Sequence, residues 1–300
     1  MRKRILALIM TVIFIISGCG TADVENTQHV DEVAEDKWTI TQHGPREVNM
    51  LFYTIHNPQK GLIVVDGGHI ENSEYVYNTI AELGGKVDAW ILTHPHKDHA
   101  GAFTYMYPYL EDWGIQVDKI YTVPMATPAE CLAVASWDSV DTYNAFLALN
   151  IPDLIYLNTG DELEICGLKF EVLSAFDEDI AAISRDYLND GSLMFKVYGE
   201  TEEFLFCADV GKYMSEHIIE NVGAEKLASD YIQMGHHGNG GLTQEFYELV
   251  SPKIAFFDAP DWLLYDQSGR YTTYQNMEFM MSLGCEIMSF NSAPNSIVLK

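Results

Sequence analysis

Positive charge is what this chain has least of: 17 Lys and Arg stand against 44 Asp and Glu in 300 residues, a formal net charge of −27. So acidic a surface repels polyanions unless metals or a local basic patch intervene, which argues against long duplex nucleic acid as a partner. Cysteine is scarce as well. Cys19, Cys131, Cys166, Cys207 and Cys285 show no CxxC spacing, which argues against a cysteine-ligated zinc site, and no disulfide pairing can be read from them. The last four read as small buried apolar residues. No repeat of solenoid length occurs, and the apolar run Ile5 to Ile16 is short for a bilayer span.

That run is instead the core of a leader. Arg2-Lys3-Arg4 precede it, and Ile16-Ser17-Gly18-Cys19 resembles a bacterial lipobox, which implies cleavage before Cys19, lipid on its thiol and an exported protein held at the envelope membrane. From Gly20 to Lys37, six acids face one lysine without apolar periodicity, the pattern of a solvated tether. Three segments follow: 1–19 as signal peptide, 20–37 as tether and 38–300 as the folded domain.

What the chain does have is histidine in a telling arrangement. The apolar run Val87 to Leu92 leads through Thr93 into His94-Pro-His96-Lys-Asp98-His99. Residues i and i+2 of an extended segment point the same way, so His94 and His96 can share one metal. Asp98 and His99 stand where a helix begins and face a second position beside the first. Imidazole and carboxylate suit zinc, manganese or iron rather than calcium.

Around this motif the pattern alternates strand and helix, as an α/β sheet requires. Gly61 to Val65 is a strand ending in Asp66-Gly67-Gly68, a tight turn, and a helix runs from Asn72 to Leu83. Pro128 opens one long helical stretch through Leu149. Asn189 to Ser192 reads as a hairpin turn before the strand Leu193 to Tyr198. Phe204 to Ala208 is a buried strand ending at Asp209, and Tyr231 to Met234 ends in Gly235-His236-His237-Gly238. A carboxylate at the end of an interior strand needs a partner. Two adjacent histidines on an extended chain point apart, so one of the pair binds metal while the other lines the cleft. The aromatics Trp262, Tyr265, Tyr271 and Tyr274 could grip a substrate, but packing under their own loop is the better reading.

The HxHxDH motif, the Asp-Gly-Gly turn, Asp209 and the GHHG segment together resemble the metallo-β-lactamase superfamily. The GHHG segment and the Asn189/Ser192 turn are similar to the branch that includes the nuclease-like domain of bacterial DNA-uptake channel proteins. The resemblance implies a four-layer αββα sandwich with one or two divalent transition metals, zinc first and manganese second. It makes His94 and His96 ligands of one metal, Asp98, His99 and a GHHG histidine ligands of the other, Asp209 the bridge and Asp66 an outer support. His236 is favoured as ligand and His237 as hydrogen-bond donor or acid, with Asp98 also orienting a metal-bound hydroxide. Two departures stand out. Ala208 replaces the family's usual glycine, and no histidine occurs between His99 and His217, so the middle-motif ligand is missing and Asn189, Asp190 or Ser192 stands in its place. The implied function is hydrolysis of phosphoesters, in small molecules or envelope polymers. The alternatives are a non-catalytic, metal-stabilised envelope binding domain and a hydrolase of lactams, thioesters or other carbonyl substrates.

Overall fold

A run such as Leu62-Ile63-Val64-Val65 can be apolar at every position only if both faces of its sheet are covered. The computed structural model, which describes residues 37–44, 47–289 and 293–300, shows that this is so. Ile63 and Val65 face one buried cluster, and Leu62 and Val64 face another. The leader and nearly all of the tether lie outside the described residues.

Two seven-stranded sheets carry the fold. Across the first, the order is Asn295–Leu299, Trp38–Gln42, Phe52–Asn57, Gly61–Asp66, Ala89–Leu92, Ile120–Thr122 and Ile155–Tyr156. Its first three pairings are antiparallel and its last three parallel. The second sheet runs Glu286–Ser289, Ile254–Phe257, Tyr231–Gln233, Glu203–Phe206, Met194–Tyr198, Leu168–Ser174 and Glu162–Ile165. Here the first three pairings are parallel and the last three antiparallel. Each sheet thus holds a parallel portion, whose strand ends are where α/β proteins place their chemistry.

Between the sheets lies an aromatic core. Tyr53 from the first sheet meets the Phe206 ring at 5.2 Å, and Phe206 stacks on Phe195 at 4.8 Å and on Phe204 at 4.4 Å. The outer face of the first sheet is covered by the helices Ser73–Glu82 and Lys97–Met106 around Trp90 and Phe103, that of the second by Ser215–Val222, Gln244–Val250 and Thr273–Ser282. This is the expected αββα sandwich.

Two local expectations change. The stretch Pro128 to Leu149 is two helices, Pro128–Val134 and Asp141–Ala148, broken at Trp137-Asp138-Ser139. At the break Asp138 accepts the Ser139 N–H at 2.7 Å, a side-chain bond that competes with the helical ladder. The presumed hairpin turn before Leu193 is a short helix, Tyr187–Asp190, because Asp186 caps it by accepting the Asn189 N–H.

Candidate metal centre

Thr93 leaves its strand beside the turn at Asp66, and these two residues set the geometry of everything after them. The Asp66 carboxylate is fully buried. It accepts the Thr93 N–H at 2.7 Å, the Thr93 hydroxyl at 2.6 Å and His99 Nδ1–H at 2.8 Å. The glycines that follow bring the turn against the helix of the motif: Gly67 and Gly68 donate to the His99 carbonyl at 2.9 and 3.1 Å. On that helix a Cβ at Gly101 would stand 2.9 Å from Ile70 N and 3.0 Å from Gly68 O, so only glycine permits the approach.

Each imidazole is held at one nitrogen so that the other faces the cleft. His99 is fixed by Asp66. The Thr93 hydroxyl donates to Asp66 and therefore accepts from His94 Nδ1 at 3.2 Å. His96 Nε2 donates to Asp138 at 2.8 Å, and His237 Nδ1 donates to the Asp258 carbonyl at 3.1 Å. Outer partners that fix tautomer and ring orientation in this way are the usual companions of metal-binding histidines.

The facing atoms form two groups. His94, His96 and Asp209 make one and Asp98, His99 and His237 the other, each with ligand atoms within 4.8 Å of one another. Asp209 stands between them, with Oδ2 3.9 Å from His94 Nε2 and 3.6 Å from His237 Nε2, and Oδ1 3.1 Å from His99 Nε2. Asn49 donates to Asp98 Oδ2 at 2.7 Å, and that oxygen lies 3.4 Å from His237 Nε2.

The donor set fits divalent metals. His94 Nε2 and His96 Nδ1 lie 3.0 Å apart, and with their other nitrogens protonated these are two lone pairs that repel unless a cation lies between them. His99 Nε2, His237 Nε2 and Asp209 Oδ1 are buried without a hydrogen-bond partner, a costly arrangement unless a ligand satisfies them. Electrostatics agree. Burial, with His99 and His96 adjacent, pushes His94 well below an ordinary histidine, so it is a neutral donor. Burial would lower His99 too, but the Asp209 and Asp66 carboxylates hold it well above the ordinary value. Burial would raise Asp209, yet His99, His237 and His236 keep it well below the usual carboxylate range. A metal replaces the protons that otherwise balance these carboxylates.

The GHHG pair reverses its expected roles. His237 is buried and belongs with Asp98 and His99, whereas His236 stands 35 % exposed at the rim, its Nε2 3.9 Å from Asp209 Oδ2. The expectation assumed extended backbone, but both residues are left-handed, at φ 51° and 56°. Ala208 also has positive φ, 46°, which is why glycine suits that position. Of the eight non-glycine residues with positive φ among the described residues, four, Asp66, Ala208, His236 and His237, lie at this site.

Of the three residues at the middle-motif position, Asn189 lines the cleft beside His96, Asp209 and His236, and Asp190 reaches only the groove that adjoins it. Its Nδ2 donates to Asp186 at 2.8 Å and its buried Oδ1 has no partner. Asp190 turns inward to Ser184 and the Gly211 N–H, and Ser192 accepts the Asp209 N–H at 3.1 Å. Sequence reasoning missed Asn49, Asp138 and the Asp258 carbonyl, for which the only signal was the helix break at Asp138. Of the aromatics near Trp262, Trp262 and Tyr265 stay exposed rather than packing under their loop; Trp262 donates to the Glu47 carbonyl at 2.9 Å and meets Tyr271 edge-on at 5.9 Å.

The profile of the metallo-beta-lactamase superfamily matches residues 43–107, the segment that holds Asp66 and the whole HxHxDH motif. In that segment and in its motif the chain is similar to the metallo-β-lactamase superfamily. Members are generally metal-dependent hydrolases that bind one or two divalent metals, and the two groups meeting at Asp209 fit that description. The fold is similar to that of YhfI, a metallo-β-lactamase fold protein from Bacillus subtilis (TM-score 0.56, 13% identical, covering 88% of this chain and 99% of that one). It is also similar to CmlA, a diiron β-hydroxylase from Streptomyces venezuelae (TM-score 0.54, 14% identical, 89% and 55% covered). In sequence the chain is 25% identical over 222 residues to RNase aCSPSF2 of Saccharolobus solfataricus, matching 69% of this chain and 41% of that relative's length.

Proposed function

We propose that this chain is an exported, lipid-anchored hydrolase of phosphoester bonds. The observation that carries the hydrolase reading is the pair of donor groups sharing Asp209, with buried nitrogens and a carboxylate oxygen left unpartnered at their centre. The phosphoester preference is supported by a sequence relative named as an RNase and by the absence of the middle-motif histidine. Export and lipid attachment at Cys19 rest on the leader alone. Among the described residues no helix is long and apolar enough to cross a membrane.

His94, His96 and Asp209 would hold one metal, and Asp98, His99, His237 and Asp209 the other. Two divalent metals at such a site supply Lewis acidity and lower the pKa of a water. In the hydrolysis a water oxygen bonds to phosphorus as the P–O bond to the leaving group breaks. Asp98, anchored by Asn49, orients the water and takes its proton. The leaving oxygen takes its proton from solvent at the open rim of the cleft beside His236.

The test is a hydrolysis screen of metal-loaded protein on phosphomonoesters, phosphodiesters, lactams and thioesters. Phosphoester turnover above all other classes is expected. Preferential lactam or thioester hydrolysis would overturn the substrate class, and full metal occupancy with no turnover of any class would leave the non-catalytic binding domain as the reading.

A further inference from the structure

A groove of about 440 Å³ runs away from Asp209 and His236, with Trp137, Arg185, Lys212 and Tyr213 on its walls. Its inner end is continuous with the cleft at His96 and Asp98. Its outer end carries two aromatic rings in water, Trp137 at 73% exposure and Tyr213 at 49%. The Arg185 Cζ lies 5.0 Å and the Lys212 Nζ 5.4 Å from the Tyr213 ring centroid, so the two cations brace that ring.

Among the described residues neither cation has a carboxylate within 4.0 Å. That is unusual placement in a chain where acids outnumber bases 44 to 17, and most of all beside a centre built on Asp98 and Asp209. The other acids of the groove are occupied: Asp186 holds the Asn189 side-chain amide at 2.8 Å and Asp190 is buried against Ser184. Free cations next to exposed aromatic rings, opening onto a hydrolytic centre, suit a ligand that carries an anion and a flat ring together.

We propose that this groove takes the nucleoside part of a short nucleotide phosphoester, the base against Trp137 and Tyr213 and the phosphate on the Arg185 and Lys212 side of the donor groups. The inference rests on the phosphoester reading above and narrows it. The groove's volume suits one ligand of nucleotide size. The net charge of −27 penalises every further phosphate outside the groove, which sets one or two nucleotides against a polymer.

Calorimetric titration of the metal-loaded full chain with a nucleoside 5′-monophosphate, ribose 5-phosphate and inorganic phosphate tests the groove without relying on turnover. Ring stacking on a base is worth roughly 5- to 150-fold in affinity, so the nucleotide binds at least about 10-fold more tightly than ribose 5-phosphate. Trp137→Ala and Tyr213→Ala each remove most of that advantage. The double variant Arg185→Gln, Lys212→Gln weakens all three anions alike, and Tyr109→Ala, beyond the far end of the motif's helix, changes none. Equal binding of nucleotide and ribose 5-phosphate by the wild type, or an advantage that survives loss of both rings, overturns the proposal. So does tighter binding of a 20-nucleotide single strand than of a dinucleotide. A protein that binds nucleotide with this pattern yet cleaves no phosphoester refutes the hydrolase reading and keeps the groove; phosphoester cleavage with no preference for a base does the reverse.

Discussion

Asp138 reaches His96 from a helix break more than one element away, its Oδ2 2.8 Å from His96 Nε2. Burial would lower His96, but the bond and charge of Asp138 raise it, so Nε2 keeps its proton and Nδ1 is left for the cleft. An outer carboxylate of this kind commonly contributes about 10- to 100-fold to metal affinity. Asp138→Asn is therefore expected to weaken one of two bound metals by that factor while leaving the unfolding transition in place. Metal titration with unchanged affinities at both sites would sink this role.

The group around His94 has fewer strong donors than the group around His99, so its metal is expected to be the labile one. Chelation is expected to remove metal in two phases, with activity falling in the first and the fold surviving it. Because Asn189 lines the cleft beside His96, Asn189→His should tighten the early phase. Asp190→His and Ser192→His should not, since those side chains hold Ser184 and the Asp209 N–H. Two equally tight sites in the wild type would contradict the ranking.

Away from the metal centre, His43 is a buried neutral histidine: its Nε2 pairs with the Thr54 hydroxyl at 2.8 Å and its ring stacks on Phe52 at 4.6 Å. Burial lowers its pKa from 6.5 to about 4. A depressed folded-state value means that the unfolded chain binds the proton first, so stability is full above pH 6.5 and is lost as pH falls toward 4. The loss is on the order of 2 to 3 kcal/mol. Denaturant unfolding of His43→Asn between those pH values should show a shallower slope than the wild type; an identical slope would mean that other groups carry the dependence.

Phe206 touches Tyr53, Phe195 and Phe204 at the centre of the space between the sheets. Phe206→Ala should cost about 3 to 5 kcal/mol, read from the denaturant midpoint. A cost below about 1 kcal/mol would show that the two sheets close over the cavity.

The leader makes a prediction of its own. Cys19→Ala should abolish lipid labelling and move the protein out of the membrane fraction; unchanged fractionation with no label on the wild type would remove the lipid anchor from the proposal.

Local chemistry was legible in the sequence and distant chemistry was not. His94 to His99 declared themselves because their spacing alone brings donors together, and Asp209 because a carboxylate ending an interior strand needs a partner, whereas Asp66 read as a plain turn and gained its supporting role only through the family resemblance. The order of His236 and His237 was hidden because it turns on two left-handed residues in succession, a conformation that side-chain pattern does not signal. Asp138 and Asn49 were hidden because their partners come from remote stretches of chain. The long helix from Pro128 misled for a related reason: the Asp138-Ser139 bond that breaks it is worth little locally and gains its purpose from His96.

Since His94 to His99 leave the first sheet and Asp209 and His237 leave the second, the centre does not exist until both halves of the chain are present. A chain that stops short of Cys207 carries the motif's three imidazoles but not Asp209. In the order of synthesis the site therefore waits on Asp209 and His237, and a chain truncated before Cys207 is expected to lack the shared carboxylate between the two donor groups.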